Sequence, residues 1–381
     1  MNFGLISPGT ALLAAVLLAA CGGGEQGSTD PAVDEPADQR VARVLDDTLP
    51  RGASGSLVAA REGEMVHCEG FGMADRQARV AAGCDTVYDV MSMTKQFTAA
   101  AILKLEMMGK LDVTDPIGKH IGPVPADKRG ITLHQLLTHT SGLVDVLGGD
   151  YERQTRGHML AAALESELQA RPGAEYAYSN VGYSVLAAIV EKVSGIGYEG
   201  FLAEHLFAPA GMTQTGYVLP DWESDQVAVE YDPKGKPQGT PLDHPWASDG
   251  PYWNLRGNGG LLSTARDMFR WQLALDDNEV LDRRSKRKLF KPHVLEEPGG
   301  DSYYGYGWVI LRADDGRVAW HNGGNDSSYG ELTRLLDGGA MVFWITNRYK
   351  SKAGGWDFYE LGPELTQGVV RRATARAPRS P

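Results

Sequence analysis

The tetrapeptide Ser92-Met93-Thr94-Lys95 constrains this chain more than any other feature, because it sets a hydroxyl and an amine one helical turn apart at the mouth of an apolar helix. The helix reads through Thr94-Lys95-Gln96-Phe97-Thr98-Ala99-Ala100-Ala101-Ile102-Leu103-Lys104-Leu105, where Phe97, Ala101, Ile102 and Leu105 recur at helical spacing and mark a buried stripe. Ser92 therefore stands at a helix start. Unpaired amides and the helix dipole favour an anion there, such as an alkoxide or a tetrahedral oxyanion. A lysine held in an apolar setting loses part of its preference for the charged form and can act as a base. The alternative is an N-cap serine followed by an exposed lysine. A second Ser-x-x-Lys, Ser285-Lys286-Arg287-Lys288, lies in the charge run 282–288 and reads as a solvated helix face.

Two further constellations give the first pair partners. Tyr178-Ser179-Asn180 presents a phenol and an amide on a loop ahead of the apolar run Val181-Gly182-Tyr183-Ser184-Val185-Leu186. His321-Asn322-Gly323-Gly324 follows the strand-like Arg317-Val318-Ala319-Trp320, and its small residues let a substrate approach the backbone. In this order the motifs resemble the Ser-x-x-Lys, Tyr-x-Asn and Lys/His-x-Gly set of the class C β-lactamase and DD-peptidase superfamily of penicillin-recognising serine hydrolases. Leu136-Leu137-Thr138-His139-Thr140-Ser141-Gly142-Leu143, Pro209-Ala210-Gly211-Met212, Gly259-Gly260-Leu261-Leu262-Ser263-Thr264-Ala265-Arg266-Asp267 and Tyr304-Gly305-Tyr306-Gly307-Trp308 are similar to landmarks of that family. The resemblance covers residues 38–375.

The resemblance implies roles position by position. Ser92 would attack a carbonyl and become acylated, with Lys95 and Tyr178 sharing the proton traffic. Asn180 would hydrogen-bond the amide of the acyl side chain and help hold Lys95. The backbone amides of Ser92 and Gly324 would form the oxyanion hole, with Gly323 beside them in the substrate site, and water would release the acyl group. His321 stands where class C β-lactamases usually carry Lys, a fixed cation for the carboxylate of a β-lactam or peptide terminus. The His-x-Gly variant is more similar to DD-carboxypeptidases, D-aminopeptidases and related esterases. Histidine is largely neutral above about pH 6.5, so a carboxylate contact at His321 is expected to fade as pH rises. The alternative is a histidine that caps a strand or orients Tyr178. His139 is expected to be structural, satisfied by a backbone group.

The fold class and the substrate class follow from the same resemblance. Together they imply a serine hydrolase acting on D-alanyl or D-amino-acid peptides of the cell envelope, with β-lactam or small-ester cleavage as alternatives within the superfamily. A non-hydrolytic penicillin- or peptidoglycan-binding receptor is the alternative of another class. The expected partner at the site is a small-molecule or peptide substrate. No cofactor is expected: there is no His-Glu-x-x-His, no cysteine–histidine cluster for zinc, and no nucleotide fingerprint. A Gly-x-Ser-x-Gly elbow is also missing, which argues against an α/β-hydrolase. The balance of 37 basic against 49 acidic residues, a net charge of −12, disfavours nucleic acid as a partner.

The first residues address location. Residues 11–20 form an uninterrupted apolar run, too short to span a bilayer and of the length of a signal-peptide core, so residues 1–20 read as a signal peptide. It ends in Leu18-Ala19-Ala20-Cys21, which looks like a bacterial lipobox with Cys21 lipidated. An ordinary signal peptide is the alternative, and the lack of Lys or Arg in residues 1–10 supports it. The expected location is the periplasmic side of a bacterial envelope, at the outer membrane if the cell is Gram-negative. Residues 21–37 read as the lipobox cysteine and a disordered tether, too poor in large apolar residues to fold, and residues 376–381 as a tail.

With Cys21 lipidated, Cys68 and Cys84 remain as a disulfide candidate, two unpaired buried thiols being the alternative. A helix is predicted near 37–48, strands near 55–61 and 64–71, late strands near 306–312, 317–321, 329–336 and 340–346, and a closing helix near 360–373. The expected fold is α+β, an α/β sandwich. An antiparallel sheet flanked by helices is built from both chain ends, 38–111 and 300–375, with an inserted, mainly helical lobe at 112–299 and the site where they meet. Within that lobe the irregular stretch 221–258 carries Trp246, Tyr252 and Trp253, which either touch a substrate or pack the loop down.

Overall fold

The computed structural model describes residues 35–313 and 316–375. The signal peptide, Cys21, nearly all of the tether and the 376–381 tail lie outside the described residues. Ala37, assigned to the tether, instead opens the first helix, α1 (Ala37–Thr48).

An eight-stranded antiparallel sheet organises the chain. Its strands are β1 (Gly55–Arg61), β2 (Glu64–Phe71), β3 (Val294–Leu295), β4 (Ser302–Tyr304), β5 (Val309–Ala313), β6 (Gly316–Gly324), β7 (Tyr329–Leu335) and β8 (Ala340–Thr346), in the order β2-β1-β8-β7-β6-β5-β4-β3. The amino-terminal hairpin joins the carboxy-terminal meander through β1 and β8, Gly55 opposite Thr346 and Arg61 opposite Ala340. Both of these strands are apolar on successive residues because both faces of the sheet are covered.

Alternation along the strands divides their side chains between two layers. Leu57, Ala59, Val342 and Trp344 pack with Val41 and Leu45 of α1 and with Leu365 and Val369 of the closing helix α6 (Phe358–Thr374). Val58, Ala60, Phe343 and Ile345 join the larger core on the opposite face. That core contains α2 (Lys95–Met107), α3 (Asn180–Ser194) and α4 (Ala265–Asp276). Trp271 of α4 stands 4.9 Å from the Phe97 ring of α2, and its Nε1 donates to Gln96 Oε1 at 2.8 Å.

Three features depart from the sequence reading. The helix α2 is buried from Lys95 through Leu103, not along one stripe, because it runs through the middle of the core. Segment 112–299 is not wholly a helical lobe: Val294–Leu295 adds an edge strand to the main sheet, too short to show a period. The helix α5 (Arg283–Leu289) departs only in part: Arg283, Arg284 and Arg287 are exposed as expected of a solvated face, while Ser285 of the second Ser-x-x-Lys is buried. Ser285 N–H is bonded by the Asp282 cap at 2.7 Å, while Lys288 pairs with Glu106 at 2.6 Å. Cys68 and Cys84 are joined in a disulfide, with a Cα–Cα distance of 5.9 Å.

Candidate active site

Pairing of Tyr88–Asp89 with Leu262–Ser263 delivers the chain to a single 3-10 turn, Met91–Thr94, that runs directly into α2. Met91 has φ +49°, a left-handed conformation that non-glycine residues enter rarely. The Asp89 carboxyl holds this turn, with Oδ1 accepting the Met91 N–H at 2.6 Å. Burial, reinforced by nearby Glu230, pushes Asp89 up to about 8. Ser92 stays half-buried and reachable, while Lys95 one turn on is completely enclosed.

Lys95 Nζ donates to Asn180 Oδ1 and to the Asn258 carbonyl, each at 2.7 Å, and stands 3.2 Å from Ser92 Oγ. Desolvation lowers the ammonium to about 7, against the upward pull of Asp145 and Asp150. Two carbonyl-type acceptors occupy two N–H groups, so the neutral amine turns its lone pair toward the serine hydroxyl.

Ser179 fixes the residues on either side of it. Its Oγ accepts the Gly182 N–H at 3.0 Å, capping α3, and donates to the Val144 carbonyl at 2.7 Å. Tyr178 places its ring 4.8 Å from Lys95 Nζ and its hydroxyl in hydrogen-bonding reach of Ser92. Burial raises this phenol well above its usual range, so it is protonated. Asn180 donates from Nδ2 and from its backbone N–H to Asp145 Oδ1, at 2.9 and 3.1 Å. With the amide NH2 committed to a carboxylate, the amide oxygen must face Lys95. His139 stacks on Tyr178 at 4.2 Å between centroids, and its Nδ1 accepts the Ser179 N–H at 3.0 Å. It is the structural histidine expected, kept neutral by burial, with Nε2 lacking a partner among the described residues.

The third motif ends β6. β5 pairs with β6 only as far as Trp320, so residues 321–324 have β7 on one side and a free sheet edge on the other. Asn325 N–H bonds Ser328 O, and Tyr329 N–H bonds Thr346 on the far side of β7. Alternation along β6 therefore turns the Gly324 N–H away from β7, toward the free edge. Gly323 meets the serine turn. A Cβ there would lie 2.8 Å from Met91 Cβ and 3.0 Å from Ser92 N, so only glycine allows this approach.

His321 corrects an expectation. It is buried, Nδ1 donates to the Asn322 carbonyl at 2.6 Å, and Nε2 accepts from the Tyr304 hydroxyl at 3.1 Å. Burial and neighbouring Lys95 depress it to about 3. It is neutral throughout the physiological range and offers no cation that fades with pH, and the tyrosine it engages is Tyr304, not Tyr178.

The beta-lactamase family model matches residues 41–357. This chain belongs to the β-lactamase family. It is 33% identical over 273 residues to PbpX of Bacillus subtilis (strain 168), described as a penicillin-binding protein, covering 72% of this chain and 65% of PbpX. It is 26% identical to Protein flp of Staphylococcus aureus (strain COL), covering 76% of this chain and 59% of that protein. The chain thus spans about two thirds or less of the length of these curated relatives. A penicillin-binding protein from Bacillus halodurans superposes with a TM-score of 0.70 at 26% identity, over 86% of this chain and 99% of that one. A D-amino acid amidase from Ochrobactrum anthropi SV3 shares the fold with a TM-score of 0.74 at 24% identity, over 89% and 99% of the two chains.

In this member of the β-lactamase family, Ser92, Lys95, Tyr178 and Asn180 converge, with Gly323 and Gly324 beside them. Three contributors were missed by the sequence reading: Asp89, Asp145 and the Asn258 carbonyl. Each adjoins a segment that was singled out, respectively Ser92-Met93-Thr94-Lys95, the Leu136–Leu143 landmark and Gly259-Gly260. The loop carrying Asn258 is pinned by buried Arg256, which donates to both Asp249 carboxylate oxygens at 2.8 and 2.9 Å and stands 5.1 Å from the Trp253 ring. Trp253 is buried and anchors this loop, Trp246 packs near Tyr217, and the Tyr252 hydroxyl accepts from Arg153. Among the described residues no three His, Cys, Asp or Glu side chains converge to hold a metal ion.

Proposed function

We propose that the protein is a serine acyl hydrolase working through a Ser92 acyl-enzyme on D-alanyl or D-amino-acid peptides or related amides of the cell envelope. The observation that carries this reading is the enclosed Lys95, aimed at Ser92 Oγ by Asn180 and Asn258 and lowered to about 7. Neutral Lys95 takes the hydroxyl proton as Oγ bonds the carbonyl carbon. The backbone N–H groups of Ser92 and Gly324 hold the oxyanion, and protonated Tyr178 relays a proton to the leaving nitrogen. Water then cleaves the ester and restores Ser92.

The electrostatics bear on substrate. His321 is neutral, and Asp145 and Asp150 both act on Lys95, so the cleft presents carboxylates and no fixed cation at the third motif. An uncharged or amino-bearing amide suits it better than a terminal carboxylate, and the D-amino acid amidase among its fold neighbours supports the amide class. The location proposed, from the sequence of residues 11–21, is the periplasmic side of the envelope through a lipid on Cys21, to be checked by metabolic labelling with palmitate.

The test is intact-protein mass spectrometry of the detergent-purified full chain with a penicillin, a D-alanyl-D-alanine peptide, a D-amino-acid amide and a p-nitrophenyl ester, with products assayed in parallel. Adducts on Ser92 with amide or peptide turnover, both lost in Ser92→Ala, are expected. Rapid penicillin hydrolysis would make it a β-lactamase, and no acylation by any probe would return it to the binding-receptor class.

A further inference from the structure

A cavity of about 570 Å³ lies at the end of β7 remote from Ser92. Arg334 on its wall is five residues along β7 from Tyr329, which pairs with Gly324, hence about 16 Å from the active edge. In a chain of net charge −12, six cations line this one hollow: Arg283, Lys286, Arg287, Lys291, Arg317 and Arg334.

Arg334 is the informative member. Its side chain is only 5% exposed, yet among the described residues it makes a single ion pair, Nη2 to Asp276 Oδ1 at 2.7 Å. Nε and Nη1 have no hydrogen-bond partner among the described residues. The guanidinium stands 5.2 Å from the ring of Phe290, which also lines the cavity. Asp276 is shared with Gln272, and Asp337 faces Arg317 at 3.4 Å. Lys286 bonds the carbonyl oxygens of Asp276 and Asp277. Arg283, Arg287 and Lys291 make no ion pair among the described residues.

Arg334 Nε and Nη1 are closed to solvent as well as unpartnered, so a ligand meets these costly unused donors only when a side chain of the cavity wall shifts. Several convergent cations with a planar donor fork match a phosphate better than a lone carboxylate. We propose that this cavity binds a phosphate-bearing anion, with Arg334 as the buried anchor and Arg283, Arg287 and Lys291 as the outer clamp. The site is separate from the serine centre, and a free phosphorylated solute and a phospholipid headgroup share the chemistry it recognises.

The test uses the full chain and inorganic phosphate, titrated by calorimetry against chloride at matched ionic strength. Phosphate binding is expected, weakened about tenfold or more by Arg334→Met. Arg283→Ser/Arg287→Ser, confined to exposed side chains, should weaken it likewise without altering the melting temperature in chloride, which guards against a misfolded Arg334 variant. Displacement of bound phosphate by a soluble short-chain phosphatidylglycerol, lost in the same variants, identifies the headgroup source; phosphate binding without that displacement identifies the free solute. Equal responses to phosphate and chloride, or wild-type affinity in both variants, would overturn the site.

Discussion

Asp89 Oδ1 accepts the backbone N–H of Met91 at 2.6 Å, clamping a residue at φ +49° immediately before Ser92. The clamp needs an acceptor oxygen, not a charge, and Asp89 is raised to about 8 by burial. Asp89→Asn should therefore acylate at near the wild-type rate, whereas Asp89→Ala should lose about 10²-fold by letting the nucleophile drift. The folded chain keeps this proton between about pH 4 and 8 where the unfolded chain has lost it, so the contribution to stability is full at low pH and is lost as pH rises toward 8. Denaturant titrations at pH 5 and pH 9 should show that decline in the wild type and a smaller one in Asp89→Asn.

Lys95 sets the acidic limb of activity. Lowered to about 7, it becomes the neutral base as pH passes that value, so kcat/KM should climb through pH 7 and level above it. Lys95→Met should cost about 10²- to 10⁴-fold and abolish the climb. A profile flat from pH 5 to 8 in the wild type would exclude Lys95 as the base.

Asp145 acts through Asn180. Asp145→Ala frees the Asn180 amide to rotate and loosens the oxygen that holds Lys95, whereas Asp145→Asn retains an acceptor. Steady-state kinetics should show kcat falling in the alanine variant, with partial recovery in the asparagine variant. The apparent pKa of the acidic limb should also move in the alanine variant, a shift that general loosening of the fold does not produce.

Gly323→Ala places a methyl against Met91 Cβ and Ser92 N. The strand must back away from the serine turn, separating the Gly324 N–H from Ser92. Acylation is expected to slow by about 10²-fold, the scale for losing one oxyanion donor, while circular dichroism stays unchanged.

The disulfide between Cys68 and Cys84 closes a loop of sequence separation 16 and should contribute about 3 kcal/mol. Denaturation with and without dithiothreitol measures it, and Cys68→Ser/Cys84→Ser should reproduce the reduced value.

The order and spacing of residues already specified a good deal. Apolar runs located β1 and β8 at their observed ends, because strands covered on both faces carry their burial in their composition, and the half-buried edge strand β2 was also placed at its observed ends. The pair Ser92 and Lys95 was legible because residues three apart at a helix start share a face, and Tyr178 and Asn180 because Tyr-x-Asn ahead of an apolar run resembles the second motif of the family. Val294–Leu295 was not legible as a sheet strand, since two residues show no period.

Tertiary structure decided the rest. Asp145 and Asn258 take their roles from contacts across long sequence separations that no local pattern encodes, while the Asp89 contact with Met91 is local and only its protonation is set by burial. The neutrality of His321 and the lowered ammonium of Lys95 are desolvation effects, fixed by what surrounds each group in three dimensions. The sequence named the reactive groups, and burial set their protonation, because the cost of a charge depends on the medium around it and not on its neighbours along the chain.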